Sequence, residues 1–103
     1  MDIPPNDTSS LSPGDVIHQY IIEGLNISVP ELAHALNVPS NRLYLIIKNE
    51  RDVSVDTAVR LGLFLDMDPH FWMALQSQYH IKHYLTNHPT IQSAVTPLKT
   101  LNQ

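Results

Sequence analysis

Apolar residues recur along this chain at the three- and four-residue intervals of a helix in five stretches, each bounded by residues that start or stop helices. Val16, Ile17, Tyr20 and Ile21 form the first stripe. Ser12 caps it, Pro13 takes the favoured first position, Asp15 lies near the positive helix end, and Gly24 is the expected stop. A second helix is expected over about 28–36 and a third over about 40–48. Ser54 caps a fourth, about 55–65, with Ala58, Leu61, Phe64 and Leu65 expected inside. Asp68 and Pro69 open a fifth, which runs to about Leu85 with Phe71, Trp72, Leu75 and Tyr79 as its apolar stripe. Residues 1–11 read as a polar tail, 12–85 as one helical domain, and 86–103 as a loose or weakly extended second tail with Pro89 and Pro97.

The second and third stretches carry the most information. Ser28 is a good N-cap and Glu31, three residues on, completes a capping box, with Ile27 and Leu32 as a hydrophobic staple and Pro30 in the first turn. Ala33 is small enough for a close helix crossing. Asn37 falls where the turn needs a left-handed backbone, for which Asn is the next choice after Gly. Leu43 and Ile46 bury the next helix, and Asn49 sits at its C′ position. The pattern is helix, tight turn, helix, and it leaves Ser40, Asn41, Arg42, Tyr44 and Leu45 facing outward, as the face that enters a DNA major groove does.

On that face Asn41 is the best candidate reader, since its amide can pair bidentately with adenine N6 and N7. Ser40, Tyr44 and Leu45 complete the base-facing set. Arg42 suits either a guanine or a phosphate, and its position favours phosphate. Lys48, Asn49 and Arg51 are further phosphate candidates. Ser28 has two readings, a phosphate contact at a helix N-terminus or a cap alone. Leu45 and Ile47 have two as well, packing against the fourth helix or touching a thymine methyl.

Charge refines the picture. The 103 residues hold six Lys and Arg against ten Asp and Glu, a formal net charge of −4. No base precedes Arg42, whereas Asp2, Asp7, Asp15, Glu23 and Glu31 do, and three of the six bases lie between Arg42 and Arg51. A local basic cluster on an acidic chain fits sequence-specific DNA binding with weak non-specific affinity, because few phosphates are neutralised. The absence of cysteine excludes a disulfide framework and thiolate metal sites, and fits a reducing cytoplasm. No secretory signal or membrane span is expected.

Further residues resemble a known family. Ser12-Pro13-Gly14-Asp15-Val16-Ile17, the loop from Ile46 to Ser54, Asp56-Thr57-Ala58-Val59-Arg60-Leu61, and Asp68-Pro69-His70-Phe71-Trp72-Met73-Ala74-Leu75-Gln76 are together similar to HigA-type antitoxins of addiction modules, over roughly residues 12–84. Asn49-Glu50 replaces the family's loop Gly-Lys pair, so one base has become an acid, while Arg51 is retained. The resemblance implies an all-α, lambda-repressor-like DNA-binding domain of five helices. It also implies a homodimer that binds and blocks an RNA-cleaving toxin and represses its own operon.

Helix 5 holds more large apolar residues than a small core should absorb, so Phe71, Trp72, Leu75 and Tyr79 are the expected dimer interface, with one of the Phe71 and Trp72 rings expected in the core and the other at the seam. The acidic half, through Asp15, Glu23 and Glu31, is the expected toxin surface, because a toxin that holds RNA should be basic there. His80, His83 and His88 are the tightest histidine group, but a third ligand beyond the helix is ill placed, so no metal or cofactor is expected. No phosphate loop, carboxylate pair or Ser-His-Asp set points to catalysis. Two rivals remain: a stand-alone helix-turn-helix regulator, and a helix-turn-helix-derived interaction module that no longer binds DNA.

Overall fold

Three of the helix starts in this chain are set by serines. In the computed structural model, which describes residues 11–102, Ser12 Oγ accepts the Asp15 amide and the Asp15 carboxylate accepts the Ser12 amide, both at 3.1 Å. Ser28 and Glu31 repeat this reciprocal pair, again at 3.1 Å. Ser54 Oγ accepts the Thr57 amide at 3.2 Å. Each such cap is worth about 1 kcal/mol. Every regular element among the described residues is helical. Helix α1 (Pro13–Val16) continues directly into a π-helical segment (Ile17–Glu23). Then come α2 (Val29–Leu36), α3 (Ser40–Ile47), α4 (Val55–Leu65), α5 (His70–Asn87) and two single turns, α6 (Ile91–Ala94) and α7 (Leu98–Leu101). Residues 1–10 of the expected N-terminal tail, Asp2 and Asp7 included, lie outside the described residues.

Helix ends are set by asparagine and aspartate. Asn26, Asn37, Asn49 and Asp66 are left-handed, with φ of 55°, 56°, 62° and 54°, and no glycine is. At Asn37 the Val38 amide donates to the Ala33 carbonyl and the Asn37 amide to the His34 carbonyl. At Asn49 the Glu50 and Asn49 amides donate to Leu45 and Ile46 in the same way. Both are Schellman closures, which satisfy carbonyls the helix leaves open. The expected stop at Gly24 holds: the π-helical segment ends at Glu23 with Gly24 as its C-cap. Gly24 keeps a right-handed φ of −65°, and the left-handed residue of the turn is Asn26.

The glycines serve close approach. The Gly24 amide reaches back five residues to the Gln19 carbonyl, the π-helical bond, and a Cβ at Gly24 would crowd the Tyr20 carbonyl. Gly14 is buried where the start of α1 meets the end of α3, and a Cβ there would collide with the Ile46 carbonyl oxygen.

One core collects Ile17 and Ile21, Leu32 and Leu36 of α2, Leu43 and Ile46 of α3, Ala58 and Leu61 of α4, and Trp72 and Leu75 of α5. Ala33, at 2% exposure, sits inside as its small size suggested. Gln76 pins the loop after α3. Its Oε1 accepts the Val53 amide at 2.6 Å and its Nε2 donates to the Val53 carbonyl at 3.0 Å, as a neighbouring strand would.

Three expectations change. Phe64 is 40% exposed, because α4 buries its Thr57, Ala58, Leu61 and Gly62 face and the ring lies to one side of it. Trp72 and Leu75 are 0% and 3% exposed in the single chain, so the core takes them and they have no surface for a dimer seam. Phe71, edge-on to Trp72 with ring centroids 5.1 Å apart, and Tyr79 remain half-buried. The segment beyond Leu85 is helical rather than extended: α5 runs to Asn87, and α6 and α7 follow.

Intrinsic propensity favours Ala over Gly in a helix by about 1 kcal/mol. At Gly14 the collision reverses that sign. Gly14→Ala is expected to lose about 1–3 kcal/mol, the usual cost of overpacking, read as a lower urea midpoint at unchanged slope. A stabilised variant would show that α1 and α3 approach less closely.

Candidate nucleic-acid interface

The second helix of the tight-turn pair, α3, is eight residues long and buries Leu43 and Ile46. Residues three, four and seven apart share a helix face. Asn41, Tyr44, Leu45 and Lys48 therefore form one stripe, with Asn41, Tyr44 and Lys48 exposed and Leu45 half-exposed. Ser40 is half-buried at the first turn. Ile47 packs on the core, which assigns it to structure, whereas Leu45 stays on the outward stripe. Lys48, Asn49, Glu50 and Arg51 are exposed at the C-terminal end of α3, held by the closure at Asn49. Ser28, at the start of α2, is exposed, and its hydroxyl accepts the Glu31 amide while its proton stays free to donate.

Arg42 departs from the expected outward position. Its side chain is 24% exposed and turns toward α4, where Nη1 donates to Asp56 Oδ2 at 2.7 Å. Arg60, one turn along α4, donates from Nε to both Asp56 oxygens at 3.1 and 3.0 Å. Its Nη1 also donates to the Leu36 carbonyl at 2.8 Å and the Asn37 carbonyl at 3.4 Å. One aspartate and two arginines thus tie the end of α2, the turn and the first turn of α3 to α4. Hydrogen bonds from Arg42 first and then Arg60 hold the Asp56 carboxyl below its ordinary 3.8. Asp56 and Arg60 lie in a stretch that carries the family resemblance, but the sequence did not mark either as a site residue. Their i, i+4 spacing was the available signal, but the reach of Arg60 across 24 residues to Leu36 has no local trace.

The acidic residues divide. The Asp15 and Glu31 carboxylates are spent in capping boxes, whereas Glu23 is exposed, 3.4 Å from His18. The histidines of α5 are dispersed. His80 meets Asp52 at 2.8 Å, His83 stacks on Tyr79 and His88 on Tyr84. No group of three or more His, Asp or Glu side chains among the described residues is placed to hold a metal. No helix among them is long and apolar enough to cross a membrane.

This arrangement, a tight left-handed turn between two short helices with the second presenting a polar stripe and a basic end, defines a helix-turn-helix DNA-binding domain. No family model matches the chain. Solved structures do. The Pseudomonas aeruginosa antitoxin HigA, determined with the higBA promoter, is 33% identical, with a TM-score of 0.77 over 86% of this chain and 98% of that one. An addiction module antidote protein of the HigA family from Coxiella burnetii is 34% identical, with a TM-score of 0.79 over 85% and 97%. Virulence-associated protein I of Dichelobacter nodosus is 30% identical over 84 residues, 80% of this chain and 78% of that protein. The chain belongs to the HigA family of addiction-module antitoxins, within the helix-turn-helix superfamily.

Because the Asp56 carboxyl is lowered by folding, its contribution to stability is full above the ordinary carboxylate value and is lost as pH falls through the lower folded value. The gap in melting temperature between the natural chain and Asp56→Asn is therefore expected to be open at neutral pH and to close as pH falls below the ordinary carboxylate value. Thermal melts across that range check it, and a gap that persists in acid would show that the carboxylate charge is not what matters.

Proposed function

We propose that this chain is an antitoxin that neutralises a cognate RNA-cleaving toxin and, as a homodimer, represses its own operon by binding a near-palindromic operator. The observation that carries the reading is the exposed Asn41–Tyr44–Leu45–Lys48 stripe, on the helix that follows a Schellman turn, in a chain whose relative was determined with promoter DNA. Asn41 is the principal base reader, with Ser40, Tyr44 and Leu45 beside it. Lys48, Asn49, Arg51 and the Ser28 hydroxyl take phosphates. Arg42 contacts a phosphate only with the guanidinium nitrogens that Asp56 leaves free. Phe71 and Tyr79, the two of the four proposed seam residues that keep surface, contribute to the dimer. The two recognition helices then sit about 34–36 Å apart, one DNA turn. The chain acts by binding rather than by catalysis, in the cytoplasm where its operator lies.

Asn41→Ala is expected to cost about 1–3 kcal/mol on the operator and to relax specificity at one position. Lys48→Ala should weaken all DNA alike and lower the salt slope by about one per site. Gel shifts on the gene's own upstream DNA and on random DNA measure both. Equal loss on the two DNAs for Asn41→Ala would put the register wrong, and no shift with either DNA would favour the interaction-module reading.

The toxin surface needs variants that spare the caps. Asp15→Asn and Glu31→Gln keep a side-chain acceptor for the capping box while removing charge. Combined with Glu23→Lys, they should slow toxin association severalfold at low salt and little at high salt, with operator binding unchanged. Unaltered association with a folded protein would place the toxin contact elsewhere.

A further inference from the structure

The C-terminal part of the chain is apolar and uncovered. Inward packing along α5 ends at Tyr79, and Ile81, Tyr84 and Leu85 are exposed. Neither α6 nor α7 buries a residue. Val95, Leu98 and Leu101 all stand in solvent, with Leu98 72% exposed. The described chain measures 58 × 24 × 24 Å, with a radius of gyration of 16.9 Å. A compact chain of this length has a radius of about 13 Å. The tail is thus an arm standing off the body. Its composition is not that of a solvated tail, which is rich in charge and poor in aliphatics. Residues 89–101 hold Ile91, Val95, Leu98 and Leu101, and Lys99 as their single Asp, Glu, Lys or Arg.

The body carries a matching depression. Between α4 and the start of α5 lies a groove of about 220 Å³ walled by Val55, Ala58, Val59, Pro69, His70 and Met73. Through Val59 and Pro69 it is continuous with a hollow of about 400 Å³ that adds Leu63, which is 80% exposed, and Met67. Asp66 and Asp68 stand at that end. Groove and arm thus have complementary parts: aliphatic side chains for an apolar channel, and one lysine for two aspartates.

Topology decides which arm meets which groove. The groove lies at the N-terminal end of α5, and the arm leaves from the C-terminal end, 18 residues away. That helix is about 27 Å long. Antiparallel pairing of two α5 helices about a two-fold axis sets the C-terminal end of one beside the N-terminal end of the other. We propose that the arm of residues 89–101 is exchanged between two copies of the chain. Its aliphatic side chains seat in the α4–α5 groove of the partner copy, and Lys99 faces the partner's Asp66 and Asp68. The inference rests on the homodimer reading above and names the surface that forms it.

The chain has no cysteine, so introduced ones are unique. Full-length Val59→Cys and full-length Leu98→Cys carrying a mass tag are mixed under mild oxidation. Arm exchange gives a covalent heterodimer of distinct mobility, severalfold above either homodimer. Ending the chain after His88, or placing Leu98→Asp in the full chain, should weaken dimerisation at least tenfold in sedimentation, with helical circular dichroism of the body retained. A full-length dimer that forms no heterodimeric cross-link and ignores truncation overturns the exchange but leaves the dimer standing. Cross-linking only within one chain of a Val59→Cys/Leu98→Cys double variant overturns it in favour of self-covering. Truncation that spares the dimer but abolishes toxin binding assigns the groove to the toxin and overturns it too. A full-length monomer overturns the dimer reading and the exchange together.

Discussion

The guanidinium of Arg60 is the interaction on which the placement of the recognition helix depends. It caps the carbonyls of Leu36 and Asn37, where α2 has run out of its own donors, and grips Asp56, which in turn holds Arg42 at the first turn of α3. A cation at a helix C-terminus also faces the negative end of the helix dipole. Each contact alone is a partly exposed polar bond of small worth. Their value lies in being shared: one side chain fixes the end of α2, the turn and, through one carboxylate, the start of α3. At its other end α3 meets α1 across Gly14, where contact with the Ile46 carbonyl leaves no room for a Cβ. The exposed stripe of α3 is therefore held by an ion-pair relay at one end and by bare backbone at the other.

The relay has a consequence for charge. Asp56 draws Arg42, one of six bases in the chain, away from the outward face. Helix α3 and its loop then present Lys48 and Arg51 as the bases without an ion pair among the described residues, with Glu50 between them. Non-specific affinity for DNA scales with the number of phosphates neutralised. A domain with so few has little of it, and the proposed reading then assigns the larger share of operator binding to base contacts. Asn41 as the proposed reader, flanked by Tyr44 and Leu45, meets that demand, because direct readout and apolar contact survive where Coulomb attraction is small.

What the sequence made legible was local. Serine followed three residues later by a carboxylate marks a helix start because both hydrogen bonds close within one turn, and the structure has them at Ser12 and Ser28. Asparagine marked the ends at Asn37 and Asn49 for an equally local reason, its tolerance of a left-handed backbone. What stayed hidden was non-local. Periodicity reported that Trp72 and Leu75 share a face, but whether that face meets its own core or a second chain depends on crossing angles between distant segments. The Arg42–Asp56 pair, 14 residues apart, and the Gln76–Val53 clamp, 23 apart, had the same defect. Gly24 was legible as the stop, but the π-helical segment it closes was not: there it relieves crowding against Tyr20, and Asn26 takes the left-handed conformation.

The acidic N-terminal half illustrates how fold and partner surfaces compete for the same side chains. Asp15 and Glu31 sit at the third position of their helices, each carboxylate bonded to a serine amide, and cannot swing toward a ligand without opening a cap. They act on a basic partner only as fixed background charge, which speeds encounter more than it tightens the complex. Glu23, the last residue of the π-helical segment and 3.4 Å from His18, is the acid of that half, among the described residues, that no cap holds. In the proposed antitoxin reading, short-range specificity is thereby left to Glu23 and to apolar surface. The stripe and Glu23 belong to different helical segments, α3 and the π-helical segment, so the proposal assigns DNA and a second protein to different elements of one small chain.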